Sequence, residues 1–304
     1  MEMPYHVPVL LAESVDALAI KPDGVYVDAT FGGGGHSREI LSRLGEKGRL
    51  FAFDQDSEAP AGRISDPRFT FIGQNFRYIA NYLRFYKIQH VDGILADLGV
   101  SSHQFDTAGR GFSIRHDGPL DMRMNPSGQT TAGDMVNGYE AGQLADIFYK
   151  YGELSQGRQI AARIVKNRPL ETTGQLMDAL RSFAAPGREN KFFAQVFQAL
   201  RIAVNDEMGA LEEFLQQSAG LLAPGGRLSV ISYHSLEDRL VKNFIRAGNF
   251  SGEAEKDFYG NVLSPLRAVN RKVIVPSPEE MADNPRARSA KLRVGEKTSD
   301  KQKL

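Results

Sequence analysis

The sequence predicts an α/β fold built on a mainly parallel sheet of seven strands and interrupted by an all-helical insertion. Two observations lead to this prediction. In the first hundred residues, apolar runs of strand length alternate with segments of helical period, which is the pattern of βαβ units. From about Thr131 to Asn205 the period is helical throughout, and after Asn205 the α/β alternation returns. The sheet is therefore expected to continue on both sides of the helical segment.

Each predicted strand is a short apolar run that ends at turn residues or at charge. The seven runs cover residues 24–29, 48–56, 68–76, 91–100, 227–235, 271–276 and 288–297. Segments of helical period follow the first strand at 36–45 and the third at 77–88, and another precedes the fifth at 206–223. This order predicts a Rossmann-like sheet.

The alternation breaks after Ser102. Residues 103–128 are rich in Gly, Pro and charged side chains and have no sustained period, which predicts a long functional loop. We therefore predict two domains. Residues 1–106 and 206–304 would form a cofactor-binding domain, and residues 107–205 an inserted loop and helical domain.

Composition excludes several classes of protein. The chain has 304 residues, of which 41% are hydrophobic and 24% charged, as in ordinary soluble globular proteins. No apolar run approaches the roughly 18 residues of a membrane span. The first residues lack a basic region, so we expect no signal peptide, no membrane partner and a cytoplasmic location. The net charge is zero, so a nucleic-acid partner would require positive charge that is segregated on one face.

The residues suited to metal or covalent chemistry are few. The chain contains no cysteine, which excludes disulfides, thiolate zinc sites and a cysteine nucleophile. Its six histidines show no paired metal-ligand spacing. The sequence therefore predicts no metal site.

Four consecutive glycines, Gly32 to Gly35, follow the first predicted strand. Glycine loses more backbone entropy on folding than other residues, so this run indicates a ligand that lies against the backbone. A dinucleotide fingerprint would have a third glycine where this chain has Ser37. S-adenosylmethionine instead suits an acidic residue at the strand end that is followed by three residues and then G-x-G, and Asp28 has this spacing to Gly32. Asp54, at the end of the second strand, is suited to hold ribose hydroxyls in either case.

The simpler alternative is a tight turn with Asp54 as a strand-end cap, but the combination of loop, strand-end acid and βαβ context favours a ligand. Asp97 ends the fourth strand, where open α/β sheets bind their ligands. An ordinary turn aspartate is the alternative there.

If S-adenosylmethionine is the ligand, the expected reaction is methyl transfer, and the lack of cysteine limits the acceptor. Methylation of pyrimidine C5 through a cysteine thiolate is excluded. Exocyclic amines, ring nitrogens and hydroxyls remain as methyl acceptors.

Nine motifs occur in order along nearly the whole chain. They are HVPVLL (6–11), DATFGGGGHS (28–37), FDQD (53–56), ADLGVSS (96–102), GRGFSIR (109–115), GPLDMRMN (118–125), FQALRIAVNDE (197–207), GGRLSVISYHSLEDRLVK (225–242) and NPRARSAKLRV (284–294). In these motifs the chain resembles the RsmH (MraW) family of bacterial small-subunit ribosomal RNA methyltransferases. One departure is KFFAQV at 191–196, where many relatives carry a stretch similar to HPATR.

The resemblance implies a class I methyltransferase that modifies N4 of a cytosine in the decoding centre of 16S rRNA, with S-adenosylmethionine as cofactor. The partner it implies is 16S rRNA, and we expect the substrate to be the assembled or nearly assembled small subunit. The cofactor-binding residues that it implies are Gly34, Gly35, His36, Asp54, Phe76, Asp97 and Gln104. Our hypothesis adds Asp97 as the catalytic acceptor of an N4 hydrogen, with the backbone carbonyl of Leu98 as the alternative.

Basic residues concentrate in two parts of the chain. Nine lysines and arginines but only four acidic residues lie between Lys150 and Arg201. Strand alternation in 288–297 places Lys291 and Arg293 on one face. With the arginines of the 103–128 loop, the candidate RNA-binding residues are Arg110, Arg115, Arg123, Arg201, Lys291 and Arg293. Solvated surface charge is the alternative for each one.

Two other functions stay open at this point. An NAD-dependent oxidoreductase would use a similar fold, although Ser37 argues against it. A non-catalytic ribosome-assembly factor would keep the cofactor pocket without turnover.

Overall fold

The structure is a computed structural model, and it describes residues 8–59 and 64–298. The chain divides into two compact units, one of residues 1–99 and 208–304 and the other of residues 100–207. The predicted Rossmann-like α/β class with seven strands is confirmed. The expectation about a signal peptide falls largely on residues 1–7, outside the described part, as does the start of the HVPVLL motif.

The first unit contains one sheet of seven strands in the order β3-β2-β1-β4-β5-β7-β6. The strands are β1 (Val25–Asp28), β2 (Arg49–Phe53), β3 (Phe69–Ile72), β4 (Val91–Asp97), β5 (Leu222–Ser232), β6 (Leu266–Ala268) and β7 (Lys291–Lys297). Neighbours from β3 to β5 are parallel, whereas β7 is antiparallel to both β5 and β6. Strand order reverses between β1 and β4, and ligands bind at such a switch point in open α/β sheets.

Alternate side chains of the central strands fill two hydrophobic clusters. Tyr26 and Leu95 belong to one cluster with Ile40 of a flanking helix, whereas Val27 and Ile94 belong to the other. This follows from the period of two in a strand and means that the sheet is buried on both faces. The helices of this unit are α1 (Leu11–Asp16), α2 (Gly35–Arg43), α3 (Ile79–Phe85), α10 (Glu207–Leu221), α11 (Ser235–Ala247) and α12 (Pro278–Asp283). The first residue of α10 belongs to the second unit.

Two strand predictions were wrong in detail. Residues 271–276 do not form a strand, because Ile274 makes only an isolated antiparallel bridge to Leu292. The run ends in Pro276, which has no N–H to donate, and the edge of the sheet is formed instead by β6. In addition, β5 begins at Leu222, so the glycine turn at 224–226 lies inside the strand as an irregularity, where Gly225 has a φ of 78°.

The second unit is helical, with a core of its own. Its helices are α4 (Ser102–Asp106), α5 (Ala132–Gly138), α6 (Ala141–Gly152), α7 (Gly157–Lys166), α8 (Thr173–Leu180) and α9 (Glu189–Asn205). Thr131 and Thr172 form capping boxes that start α5 and α8. The segment 103–128, predicted as a loop, begins with α4 and buries Phe112 in the helical core.

Within the described ranges 8–59 and 64–298, no helix combines the length and the apolar character that crossing a bilayer requires.

Candidate functional site

The predicted cofactor residues lie where the parallel strands end at their carboxyl termini. The glycine loop follows β1 and leads directly into α2, which begins at Gly35. Gly32 and Gly34 have φ angles of 50° and 75°, in the left-handed region that favours glycine. A Cβ atom on Gly35 would lie 2.1 Å from Cγ of Pro8. Three of the four glycines are therefore required by the fold itself.

Gly33 is the exception. Its φ is not positive, and apart from its chain neighbours no described atom lies within 4 Å of the position that a Cβ would occupy. Neither backbone conformation nor internal packing therefore explains a glycine at this position. Open space over the backbone at the N-terminus of α2 is what close approach by a ligand needs.

Asp54 joins the glycine loop to the end of β2. Its Oδ2 accepts the backbone N–H of Gly32 at 2.8 Å, and its Oδ1 accepts that of Asp56 at 2.9 Å. The structure thus brings together two predicted elements that are 22 residues apart. Asp54 therefore shapes the glycine loop at the strand end where ribose hydroxyls are expected to bind.

Asp28, at the end of β1, has a structural role. Its buried carboxylate accepts the Ser37 hydroxyl at 2.7 Å and the Thr30 N–H at 3.1 Å. Burial raises its pKa to about 6. Ser37, which occupies the place of a third dinucleotide glycine, is thus used to tie α2 to β1.

Asp97 lies at the end of β4, beside β1. Its backbone N–H donates to Thr30 Oγ1 at 2.6 Å, which joins the two strand ends. The side chain is only 23% exposed. Burial, together with the nearby carboxylates Asp28 and Glu237, raises the pKa of Asp97 to about 7. A carboxyl with this pKa can bind or release a proton near neutral pH.

Tyr233 is a site residue that the sequence analysis missed. Its hydroxyl donates to Asp97 Oδ1 at 2.7 Å, and this bond lowers the pKa of Asp97. Burial and the carboxylate of Asp97 raise the pKa of Tyr233, so the phenol keeps its proton. Its neighbour His234 is the N-cap of α11. The sequence could have indicated Tyr233 by its position, because it directly follows β5, the parallel neighbour of β4.

His36 is buried at the first turn of α2. Its Nε2 lies 3.3 Å from the carbonyl oxygen of Val9, and its Nδ1 lies 3.9 Å from Asp97 Oδ2. Burial lowers the pKa of His36 to about 4, so the ring is neutral at pH 7. It therefore brings no charge to Asp97, and its role at the cofactor stays a prediction.

Phe76 and Gln104 are the other two predicted cofactor residues. Phe76 begins a 3-10 turn after β3, and its ring packs edge-on against Phe214 with centroids 5.1 Å apart. Gln104 belongs to the second unit, where it is buried and its Oε1 accepts the N–H of Ser101 in the capping box of α4. Both assignments stay predictions.

The candidate RNA-binding residues differ in what they contact. Arg110 is buried and donates to the carbonyls of Arg123 and Met124, each at 3.0 Å. The side chain of Arg123 is paired with Asp121, and that of Arg201 with Glu207. These three guanidiniums hold the second unit together.

Of the other three candidates, Arg115 and Lys291 are the more accessible, whereas the side chain of Arg293 is only 21% exposed. Arg115 is exposed on the loop before α5. Lys291 and Arg293 share Asp238 of α11, at 3.2 and 2.6 Å, and Lys291 remains 42% exposed. The predicted alternation in β7 is observed, because Leu292 and Val294 are buried on the opposite face.

Comparisons with known proteins match the whole chain. The model described as the MraW methylase family matches residues 3–298. A protein named Ribosomal RNA small subunit methyltransferase H from Parabacteroides distasonis is 60% identical over 297 residues, covering 96% of this chain and 97% of the relative. Proteins of the same name from Bacteroides fragilis and Christiangramia forsetii are 59% and 57% identical, each covering 97% of this chain and 98% of the relative.

We expect Gly33→Ala to weaken cofactor binding without loss of stability. The new Cβ would project into the open space over the loop, whereas a residue with negative φ tolerates alanine and gains up to about 1 kcal/mol from a less flexible unfolded chain. Calorimetric titration with S-adenosylhomocysteine should show affinity reduced by about tenfold or more, which is about 1.4 kcal/mol.

The matched control for that experiment is Gly220→Ala, a second glycine whose added Cβ meets no described neighbour. It should bind S-adenosylhomocysteine as the wild type does. Unchanged affinity in Gly33→Ala would contradict a ligand at this loop.

We expect Asp97→Asn to change how stability depends on pH. The pKa of Asp97 is raised in the folded chain, so folding favours its protonated form. The ionised carboxyl therefore increasingly opposes folding as pH rises from about 4 to about 7, and asparagine removes this effect. Denaturant unfolding at several pH values should show the variant gaining stability relative to wild type across this window. A difference that is constant with pH would contradict the raised pKa.

Proposed function

Because the chain belongs to the MraW methylase family, we propose that it transfers a methyl group to N4 of a cytosine in the decoding centre of 16S rRNA. The methyl donor of this enzyme is S-adenosylmethionine. The observation that carries the proposal is the match along nearly the entire chain to relatives named as small-subunit rRNA methyltransferases. The motif resemblance to the RsmH family supports the choice of base and atom.

The chemistry of the residues agrees with an amine acceptor. The chain has no cysteine, so it has no thiolate that could attack C6 of a pyrimidine and activate C5. An exocyclic amine needs no covalent intermediate with the protein. It needs alignment with the methyl group and an acceptor for the proton that it loses.

The residues at the strand ends suit S-adenosylmethionine. Gly33 leaves the backbone open, and the two oxygens of Asp54 suit a pair of ribose hydroxyls. Phe76 would contact the adenine, and Gly34, Gly35, His36 and Gln104 complete the proposed binding residues. When bound, the cofactor supplies a methyl group on a sulfonium, which is already activated as a leaving group.

Asp97 is the proposed proton acceptor. Attack by the N4 lone pair forms the new N–C bond, and the amine then loses one hydrogen as a proton to a carboxylate oxygen. Tyr233 occupies Oδ1 with its hydrogen bond, which leaves Oδ2 to face the substrate. With its pKa of about 7, Asp97 can take this proton as a carboxylate and later release it to water.

The RNA itself would be held by basic residues on both units. Arg115 and Lys291 are the most exposed candidates. Arg110, Arg123, Arg201 and Arg293 would contact the RNA while keeping their partners within the protein. We propose that the inserted domain of residues 107–205 contributes to recognition of the RNA, and that the substrate is the assembled or nearly assembled small subunit. The target base must leave its stacked position to reach the methyl group.

The proposed reaction is tested with small ribosomal subunits from cells that lack this enzyme. Labelled methyl from S-adenosylmethionine should appear in N4-methylcytidine after the RNA is digested and its nucleosides are identified by mass. Asp97→Ala should abolish turnover, because it removes the proposed proton acceptor. Label in a different nucleoside would overturn the assignment of base and atom. Binding of the cofactor without any transfer would indicate a scaffold protein, and near wild-type turnover by Asp97→Ala would overturn its catalytic role.

Tyr233→Phe is expected to shift the pH dependence of the reaction. The hydrogen bond from Tyr233 lowers the pKa of Asp97, so its loss should raise that pKa further and reduce the carboxylate fraction at neutral pH. The acidic limb of the kcat profile should move to higher pH. The matched control, Tyr259→Phe, removes a hydroxyl from a side chain that is 82% exposed and should leave the profile unchanged. A uniform loss of kcat at all pH values would show that Tyr233 does not act through Asp97.

A further inference from the structure

A cavity of about 460 Å³ lies within the first unit, between the end of β3 and one side of α3. Its lining consists of three aromatic rings and two amides, from Gln74, Tyr78, Asn81, Tyr82 and Phe85. The volume falls in the range of about 300–1,000 Å³ that is usual for ligand sites. None of these residues belongs to the proposed cofactor site.

The lining residues form one stripe along α3 and the turn that precedes it. Tyr78, Asn81, Tyr82 and Phe85 recur at helical spacing, and Ile79 and Leu83 on the other side of the helix are fully buried in the core. Ile79 and Leu83 thus already give α3 an apolar face that packs into the core. A second, aromatic face on so short a helix is not needed to bury α3.

Two rings of this stripe are open to solvent, and the third is fixed. Phe85 is 76% exposed and Tyr78 is 44% exposed. Tyr82 is half-buried and packs edge-on against Phe53 of β2, with centroids 6.1 Å apart. The cavity therefore has a rigid aromatic floor and accessible aromatic walls, which suits a flat ligand that stacks.

The charge around the cavity is positive. Residues 73–90 include Arg77, Arg84 and Lys87 and no acidic residue, although the net charge of the whole chain is zero. Arg77 pairs with Glu213 at 2.8 Å, whereas Arg84 and Lys87 are exposed beside Phe85. Another exposed aromatic pair, Phe258 and Tyr259, lies instead in a segment that carries Glu253, Glu255 and Asp257. Aromatic exposure and positive charge therefore coincide at α3.

We propose that this cavity binds an unpaired base of the RNA substrate. The base would stack on Phe85 and Tyr78, and the side-chain amides of Gln74 and Asn81 would donate to and accept from its edge. Arg84 and Lys87 would pair with the adjoining phosphates. The combination of stacking rings, amides and cations fits a single-stranded nucleic acid, whose phosphates can pair with the cations. A protein partner without such anions would leave the cations unpaired. The inference rests on the proposed function.

The bound base is not the base that is methylated. β3 is the outermost parallel strand, and three strand spacings of about 4.8 Å separate it from β4, which carries Asp97. The cavity therefore holds a nucleotide that flanks the target and contributes to binding rather than to chemistry. Its loss should raise KM and leave kcat unchanged.

The test compares Phe85→Ala with Phe258→Ala, two exposed phenylalanines that differ in their electrostatic surroundings. With small ribosomal subunits as substrate, Phe85→Ala should raise KM between about fivefold and a hundredfold, as expected for one lost stacking contact. Its kcat, thermal stability and affinity for S-adenosylhomocysteine should equal those of the wild type. Phe258→Ala should match the wild type in every measurement, and Phe85→Trp should restore KM.

An unchanged KM in Phe85→Ala, or an equal rise in Phe258→Ala, would overturn the inference while the wild type still methylates the subunit. If the wild type transfers no methyl group, the proposed function fails, and the cavity is then tested alone. For that purpose, fluorescence titration with an unstructured RNA oligonucleotide would compare the same variants. Affinity that does not depend on Phe85 would overturn the inference, whereas binding that Phe85→Ala weakens and Phe85→Trp restores would support it.

Discussion

Burial of carboxylates at the ends of adjacent parallel strands is the constraint on which this site depends. Asp28 and Asp97 end β1 and β4, and burial raises the pKa of the first to about 6 and of the second to about 7. Each is tolerated because specific donors, Ser37 and Tyr233, hydrogen-bond to it. Thr30 links the two strand ends by accepting from the backbone of Asp97. The same interactions that hold these acids in place give Asp97 a pKa suited to proton transfer.

The four glycines of the loop differ in the reason for which a glycine is needed. Gly32 and Gly34 have left-handed backbone conformations that favour glycine, and Gly35 leaves room for the close approach of Pro8. Neither reason applies to Gly33, and the space over its backbone is open, as the proposed cofactor site needs. Asp54 fixes the loop through Gly32, so the residue suited to the ribose also sets the shape of the backbone below it. A substitution at Asp54 would for this reason affect both loop and ligand.

The net charge of zero does not show which basic side chains are available to bind phosphate. Several arginines that the sequence predicts as RNA contacts also have partners within the protein, since Arg110 donates to backbone carbonyls and Arg201 pairs with Glu207. By contrast, Arg84 and Lys87 accompany an exposed aromatic stripe that is not part of any family motif discussed above. Whether a cation is available for phosphate depends on its partner within a few ångströms. Counting basic residues along the chain does not show this.

The sequence by itself determined the class of fold, the order of most elements and the location of the glycine loop, because strand and helix periods and the glycine run are local patterns. It also placed Asp54 and Asp97 correctly at strand ends, since parallel strands bring their carboxyl ends to one edge. Only the tertiary structure decided the partners of these residues. Tyr233 is 136 residues from Asp97, and the register between β4 and β5 brings them together. The edge strand β6 was likewise misplaced, because strand pairing depends on which backbone groups β7 leaves available and not on the apolar character of residues 271–276.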